Sequence, residues 1–208
     1  GKRYVLTELM SCSLFDLLHR TDRISQRYEV TPIRAVILAE GIAAGVEYLH
    51  DRMLVHADLK SSNVLLDMED DATCNPVPKL CDFGHVALRA HPAPHSRCGT
   101  PHWAAPEVLR QGALGPEADI YSCGIMFWEM LAKEVPLCRL TFAQVVGAVG
   151  WAGWKPDMTS LPPVQPAVAE LLDVCLAFES SARPLAREMR QRLQSICQEV
   201  HREVVHMF

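Results

Sequence analysis

Apolar and polar positions change period several times along this chain of 208 residues, and each change marks an element. Tyr4-Val5-Leu6-Thr7 is short and rich in β-formers, which predicts a strand. Ser13 to Leu18 reads as a short helix. Thr31-Pro32 predicts a longer one, with Thr31 as N-cap and Pro32 at the first helical position. That helix should run to about Arg52, with Ile33, Val36, Ile37, Ala44 and Tyr48 on one face. Gly41 and Gly45 each cost about 1 kcal/mol relative to alanine inside a helix. Close packing against a neighbouring helix is the expected reason for them. Val64-Leu65-Leu66 and Lys79-Leu80-Cys81 read as two short strands, joined by a solvated loop from Asp67 to Pro78. Glu117 to Lys133 predicts a long apolar helix after Gly115-Pro116, and Thr141 to Val149 a shorter one. Gly150 to Pro166 reads as loop. Ala167 to Phe178 and Leu185 to about Val205 complete a helical set. The fold class is mainly α with a few short β-strands.

Composition narrows the setting. The length suits one domain with a sizeable core. Hydrophobic content of 49% and charged content of 22% are ordinary for a globular protein. A net charge of −5 gives no reason to expect nucleic acid or an anionic membrane surface as partner. The eight cysteines form no C-x-x-C pair, which reads as free thiols of a cytoplasmic protein rather than a disulfide framework or zinc site. The most apolar run, Ile33 to Leu49, is broken by Arg34, Glu40 and Glu47, so no membrane span is expected. No signal-peptide pattern opens the chain. It begins on glycine and enters an apolar run almost at once, which reads as a truncated gene product or a fragment.

The chemistry concentrates in one stretch. Asp58, Lys60 and Asn63 fall within six residues, flanked by Val55-His56-Ala57 and Val64-Leu65-Leu66. A second carboxylate, in Asp82-Phe83-Gly84, begins nineteen positions after Asn63. Hard oxygen donors beside an ammonium are parts for handling a metal-bound polyphosphate. The alternative for the same residues is a loop of solvated charges.

With Ala105-Pro106-Glu107 added, the order of motifs resembles the protein kinase family, whose pattern is H-R-D-L-x-x-x-N, then D-F-G, then A-P-E. The resemblance runs from about Tyr4 to about Leu193 and covers the hinge and the C-terminal lobe. It implies that residues 1–208 form a partial kinase domain with a kinase-like C-terminal lobe. The roles it implies are these. Asp58 accepts or orients the substrate hydroxyl proton, and Lys60 neutralises charge on the phosphate in flight. Asn63 and Asp82 hold Mg²⁺, and Leu65 packs on the adenine. Glu8-Leu9-Met10 is the hinge, where backbone groups of Glu8 and Met10 bond the adenine edge. Thr7 lies near the residue guarding the pocket behind. Asp16 either touches a ribose or is solvated. ATP and Mg²⁺ are the implied cofactors, and ATP and a protein substrate the implied partners. Lys60 with Thr100, the latter bonding Asp58 and Lys60, resembles serine/threonine kinases. Ser61-Ser62-Asn63 and Gly99-Thr100-Pro101 resemble their tyrosine-kinase-like branch. His56 is implied to be structural, packing near Phe83. Glu107 is implied to pair with Arg183, and Asp119 to accept backbone N–H groups of the catalytic loop.

The chain also departs from the pattern. Ala57 stands where the family has arginine, which elsewhere pairs with a phosphorylated activation segment. Only Ser96 carries a hydroxyl between Gly84 and Gly99, so switching by phosphorylation there should be weak. The rival reading of Ala57 is decay toward a pseudokinase. His85, His91, His95, Cys98 and His102 cluster in sequence, but their irregular spacing suits a solvated segment better than zinc. No G-x-G-x-x-G occurs, and Lys2 sits too close to the hinge to be the family's strand lysine. A lone lobe should therefore bind ATP poorly and transfer phosphate slowly. The expected function is a serine/threonine kinase domain fragment, and the alternative is an inactive lobe that acts as a protein-binding module.

Overall fold

The computed structural model describes residues 6–20, 28–68, 75–88, 101–110 and 114–206. Strand β1 (Cys12–Ser13) runs directly into helix α1 (Leu14–His19), where the Ser13 hydroxyl caps the first turn by accepting from the Asp16 N–H. Helix α2 (Pro32–His50) begins as its sequence predicts. Thr31 accepts from the Arg34 N–H, and Pro32, with no N–H to satisfy, occupies the first turn. Strands β2 (Leu54–Val55), β3 (Val64–Asp67), β4 (Val77–Leu80) and β5 (Ala87–Leu88) follow, with a single 3₁₀ turn at Ser61–Asn63 leading into β3. They form two small antiparallel sheets, β1-β3-β4 and β2-β5.

The later part of the described chain is mainly helical. It comprises α3 (Pro106–Leu109), α4 (Pro116–Ala132), α5 (Phe142–Val145) continuing as a wider turn through Trp151, α6 (Pro166–Cys175) and α7 (Ala186–His206). Helix α4 is buried without a break from Ala118 to Leu131, which makes it the axis of the core rather than a surface helix. Helix α7 is the opposite case. Ala186, Met189, Leu193 and Ile196 recur at helical spacing and form a single buried stripe. Across its flank, Arg190 reaches Glu40 at 2.8 Å and Glu47 at 3.0 Å on α2.

Three expectations change. Among the described residues Leu6 and Thr7 are in no strand, and Leu6 is 97% exposed. A strand needs a hydrogen-bonded neighbour, and none of the described strands pairs with this segment. On α2, only Val36 of the five face positions named from the sequence is fully buried, and Tyr48 is exposed. The buried set is Ala35, Val36, Leu38, Ala39, Ile42, Ala43, Val46 and Leu49, because α2 is packed on more than one side. The helix glycines face a strand rather than a helix. A Cβ on Gly41 would lie 2.6 Å from Pro78 Cγ, and one on Gly45 would lie 3.1 Å from the Leu80 side chain, both on β4. The two glycines let the sheet lie directly on α2.

Candidate functional site

The segment Val55 to Asn63 is held in place from beneath. Asp119, on α4 and 1% exposed, accepts the His56 N–H at 2.8 Å and the Ala57 N–H at 2.9 Å. His50 Nε2 lies 2.9 Å from the same carboxylate. These bonds hold Ala57 at φ +69°, the left-handed region, which costs an alanine about 1–2 kcal/mol. The buried His56 ring bonds the Cys81 carbonyl through Nε2 at 2.9 Å and lies 5.4 Å from the Phe83 ring. It thereby joins the Val55–Asn63 segment to the Asp82-Phe83-Gly84 turn.

Asp58, Lys60 and Asn63 converge. Lys60 Nζ donates to Asp58 Oδ2 at 2.8 Å. The Asn63 amide donates to the Asp58 carbonyl at 2.9 Å and to Oδ2 at 3.3 Å. Oδ2 is thus fixed, while Oδ1 carries no hydrogen bond among the described residues and is the oxygen left to accept a hydroxyl. The sheet then brings in Asp82. The Cys81 N–H donates to the Asn63 carbonyl at 3.0 Å, one step beyond the Val64–Leu80 pair, so Asn63 and Asp82 share one end of the β3–β4 hairpin. Asp82 sits at φ +60°, and its only hydrogen bond with a described residue is a long one, 3.4 Å, from the Gly84 N–H. Its carboxylate is exposed.

The fit to magnesium follows from this donor set. Asn63 uses its amide nitrogen on Asp58, which leaves its carbonyl oxygen for another partner. Among the described residues no three of His, Cys, Asp and Glu are placed to cage a metal. Mg²⁺ that is carried mainly by phosphate oxygens needs only one or two protein ligands, so the residues fit it. They do not form a zinc site. Of the five zinc candidates, His91, His95 and Cys98 lie outside the described residues, as do Ser96, Thr100 and Lys2.

The adenine candidates lie on the outer face of the same sheet. Val64 and Leu66 are buried against the core, while Leu65 points the other way and is half-buried. It stands opposite Lys79 on β4 and Ser13 on β1. Lys79 Nζ bonds Glu8 at 2.7 Å, which draws the Glu8–Met10 segment onto that face. The backbone groups of Glu8, Leu9 and Met10 make no hydrogen bond with other described residues. Asp16 is committed locally, to Ser13 at 2.8 Å and to Arg20 at 2.8 Å.

Two supports lie deeper. Glu107 and Arg183 form a bidentate pair at 2.6 and 2.8 Å, with the guanidinium closed off from solvent. Glu129, fully buried on α4, is a hub that the sequence reading passed over. It accepts from Ser61 Oγ, meets His19 Nε2 and accepts from Trp103 Nε1, each at 2.8 Å. One carboxylate so ties α1, the 3₁₀ turn at Ser61–Asn63 and the turn at Pro101–Trp103 to the core axis. The signal was available, because a carboxylate inside an otherwise apolar helix must be partnered if it is buried.

The family model described as "Protein kinase domain" matches residues 1–193. The serine/threonine-protein kinase CTR1 of Arabidopsis thaliana is 37% identical over 186 residues, covering 86% of this chain and 21% of that protein. The probable serine/threonine-protein kinase SIS8 of the same plant is 35% identical over 189 residues, covering 88% of this chain and 17% of that protein. The probable serine/threonine-protein kinase drkA of Dictyostelium discoideum is 37% identical over 186 residues, covering 88% and 27%. The chain belongs to the protein kinase family, and the first two relatives belong to its tyrosine-kinase-like branch. It spans about a fifth of the length of these relatives. No described helix is long and apolar enough to cross a membrane.

Proposed function

We propose that the protein containing this chain is a serine/threonine protein kinase, transferring the γ-phosphate of ATP to a protein hydroxyl, and that residues 1–208 supply its hinge and C-terminal lobe. The observation that carries the reading is the Asp58 carboxylate, held at Oδ2 by Lys60 and Asn63 and with no hydrogen bond to Oδ1 among the described residues. In this reading Oδ1 orients the substrate hydroxyl and takes its proton as the oxygen–phosphorus bond forms. Lys60, already beside Asp58, faces the phosphoryl group in flight. Asn63 and Asp82 hold Mg²⁺, which when bound with the nucleotide neutralises charge on the phosphates. Leu65 lies under the adenine, and the backbone of Glu8 and Met10, which makes no hydrogen bond with other described residues, takes its edge. Free thiols on the described cysteines suit a cytoplasmic setting.

The test is transfer of labelled phosphate from ATP and Mg²⁺ to a generic protein acceptor by full-length protein, with Asp58→Ala and Asp82→Asn alongside. Asp58→Ala should lose about a hundredfold or more in rate, in the usual range for removing a positioned base, and Asp82→Asn should also lose rate because it weakens the hold on Mg²⁺. Equal transfer by wild type and Asp58→Ala would refute the assignment.

Ala57 favours a second reading, since it removes the cation that reads a phosphorylated activation segment. In that reading the lobe is a pseudokinase-like docking module, and wild type would transfer nothing while remaining folded. In the kinase reading, phosphorylating Ser96 changes the rate little.

A further inference from the structure

His85 follows directly on Asp82-Phe83-Gly84, and its sequence neighbourhood suggested nothing beyond a solvated imidazole. The fold puts it elsewhere. The 3₁₀ turn at Phe83–His85 swings the ring toward the catalytic-loop segment, where Nδ1 stops 3.7 Å from Asp58 Oδ2. Nδ1 is shut off from solvent and has no hydrogen-bond partner among the described residues. The ring as a whole is 37% exposed, so its other edge is the one that meets water. An imidazole nitrogen buried without a partner, with a carboxylate oxygen a few tenths of an ångström beyond bonding range, is an interaction waiting to close.

The geometry points to His85 as a positioning residue for Asp58. Its Nδ1–H donates to Oδ2 in the transfer-competent state and joins Lys60 and Asn63 in fixing that oxygen. This rests on the kinase reading of Asp58 above. Three donors on one oxygen leave the carboxylate a single orientation, with Oδ1 turned to the incoming hydroxyl. The bond also couples the Asp82 turn to the base. Movement of the turn away from the loop would free Asp58 and disengage Asp82 together. Among the described residues, the groups facing the Asp58 carboxylate are Lys60, Asn63 and His85, and of these the imidazole is the donor supplied by the Asp82 segment. A hydrogen bond to a charged partner is worth enough to change a rate about tenfold when it is lost.

Two measurements test this separately from the kinase reading. The first is kinetic, on full-length protein. His85→Phe should lower kcat about tenfold with KM for ATP and for the acceptor unchanged within about twofold. His85→Asn places an amide N–H where Nδ1–H was and should recover kcat to within about threefold of wild type. Equal kcat for His85→Phe and wild type, or equal losses for Phe and Asn, would overturn the proposal. The second needs no turnover. In protein labelled with ¹⁵N-histidine, the His85 resonances, assigned by their loss in His85→Asn, should show the proton on Nδ1. Asp58→Asn should return the ring to the Nε2–H tautomer. An Nε2–H tautomer in both proteins would refute the pairing even if the protein transfers no phosphate. If Asp58→Ala transfers as well as wild type while the tautomer shift is present, the kinase role of Asp58 fails and the pairing stands.

Discussion

Replacing Glu129 by leucine removes the acceptor for three donors at once and tests whether the buried hub organises the site. Trp103 Nε1 is a donor only, and Trp103 is 5% exposed, so it finds neither another acceptor nor water. Ser61, completely buried, loses its acceptor too. Each stranded donor costs about 1–3 kcal/mol. His19 is partly exposed and can turn to solvent. Against this, leucine avoids the desolvation of a carboxylate, which offsets part of the loss. The net expectation is destabilisation by about 2–4 kcal/mol, a fall in Tm of roughly 5–15 °C for a chain of this size. Glu129→Gln should cost about half as much. Its carbonyl still serves Trp103 and its amide donates to Ser61, whose hydroxyl reverses. Urea unfolding followed by circular dichroism measures both. A double-mutant cycle with Trp103→Phe should return a coupling of about 1–3 kcal/mol, because the phenyl ring has no donor to strand. Unfolding of Glu129→Leu within about 0.5 kcal/mol of wild type, or a coupling near zero, would refute the reasoning.

Further outcomes follow from the same geometry. Breaking the enclosed Glu107–Arg183 pair with Arg183→Leu should cost roughly 3–5 kcal/mol in a chemical denaturation experiment, since the carboxylate is left without its cation. Gly41→Ala would gain about 1 kcal/mol in an open helix. Here the new methyl meets the Pro78 ring, so overpacking of about 1–3 kcal/mol should outweigh that gain, and a stabilised variant would contradict the packing. Lys133, at the end of α4, is exposed as a residue, but its ammonium is drawn in to the Val30 carbonyl and is pushed down to about 8 by loss of hydration, with Glu29 opposing. Below that pH both folded and unfolded chains hold the proton, and the cost of the buried charge is constant. From about 8 toward the ordinary 10.5 the unfolded chain keeps a proton that the folded chain has lost, so stability rises with pH. The difference in unfolding free energy between wild type and Lys133→Met should therefore change across that window and be flat below it.

Much of this protein could be read from neighbours along the chain. The Thr31 cap and Pro32 start of α2, the Gly115-Pro116 entry to α4 and the Asp58–Lys60–Asn63 cluster each involve residues within a few positions of one another. At that range, covalent geometry and side-chain chemistry leave few arrangements. The spacing of Asn63 from Asp82 was also informative, since two short strands must bring their ends together. Contacts decided at long range were not legible. The face of α2 was misjudged because strands and helices bury it from several sides, which weakens the single stripe that periodicity detects. Gly41 and Gly45 announced a close neighbour but not that it would be the Pro78–Leu80 strand. Leu6-Thr7 has the composition of a strand and is not one here, because strand formation depends on a partner rather than on propensity. The hub at Glu129 and the approach of His85 to Asp58 join residues 68 and 27 positions apart. Closing such distances is driven by burial of the whole core, so only the folded chain decided which side chains meet.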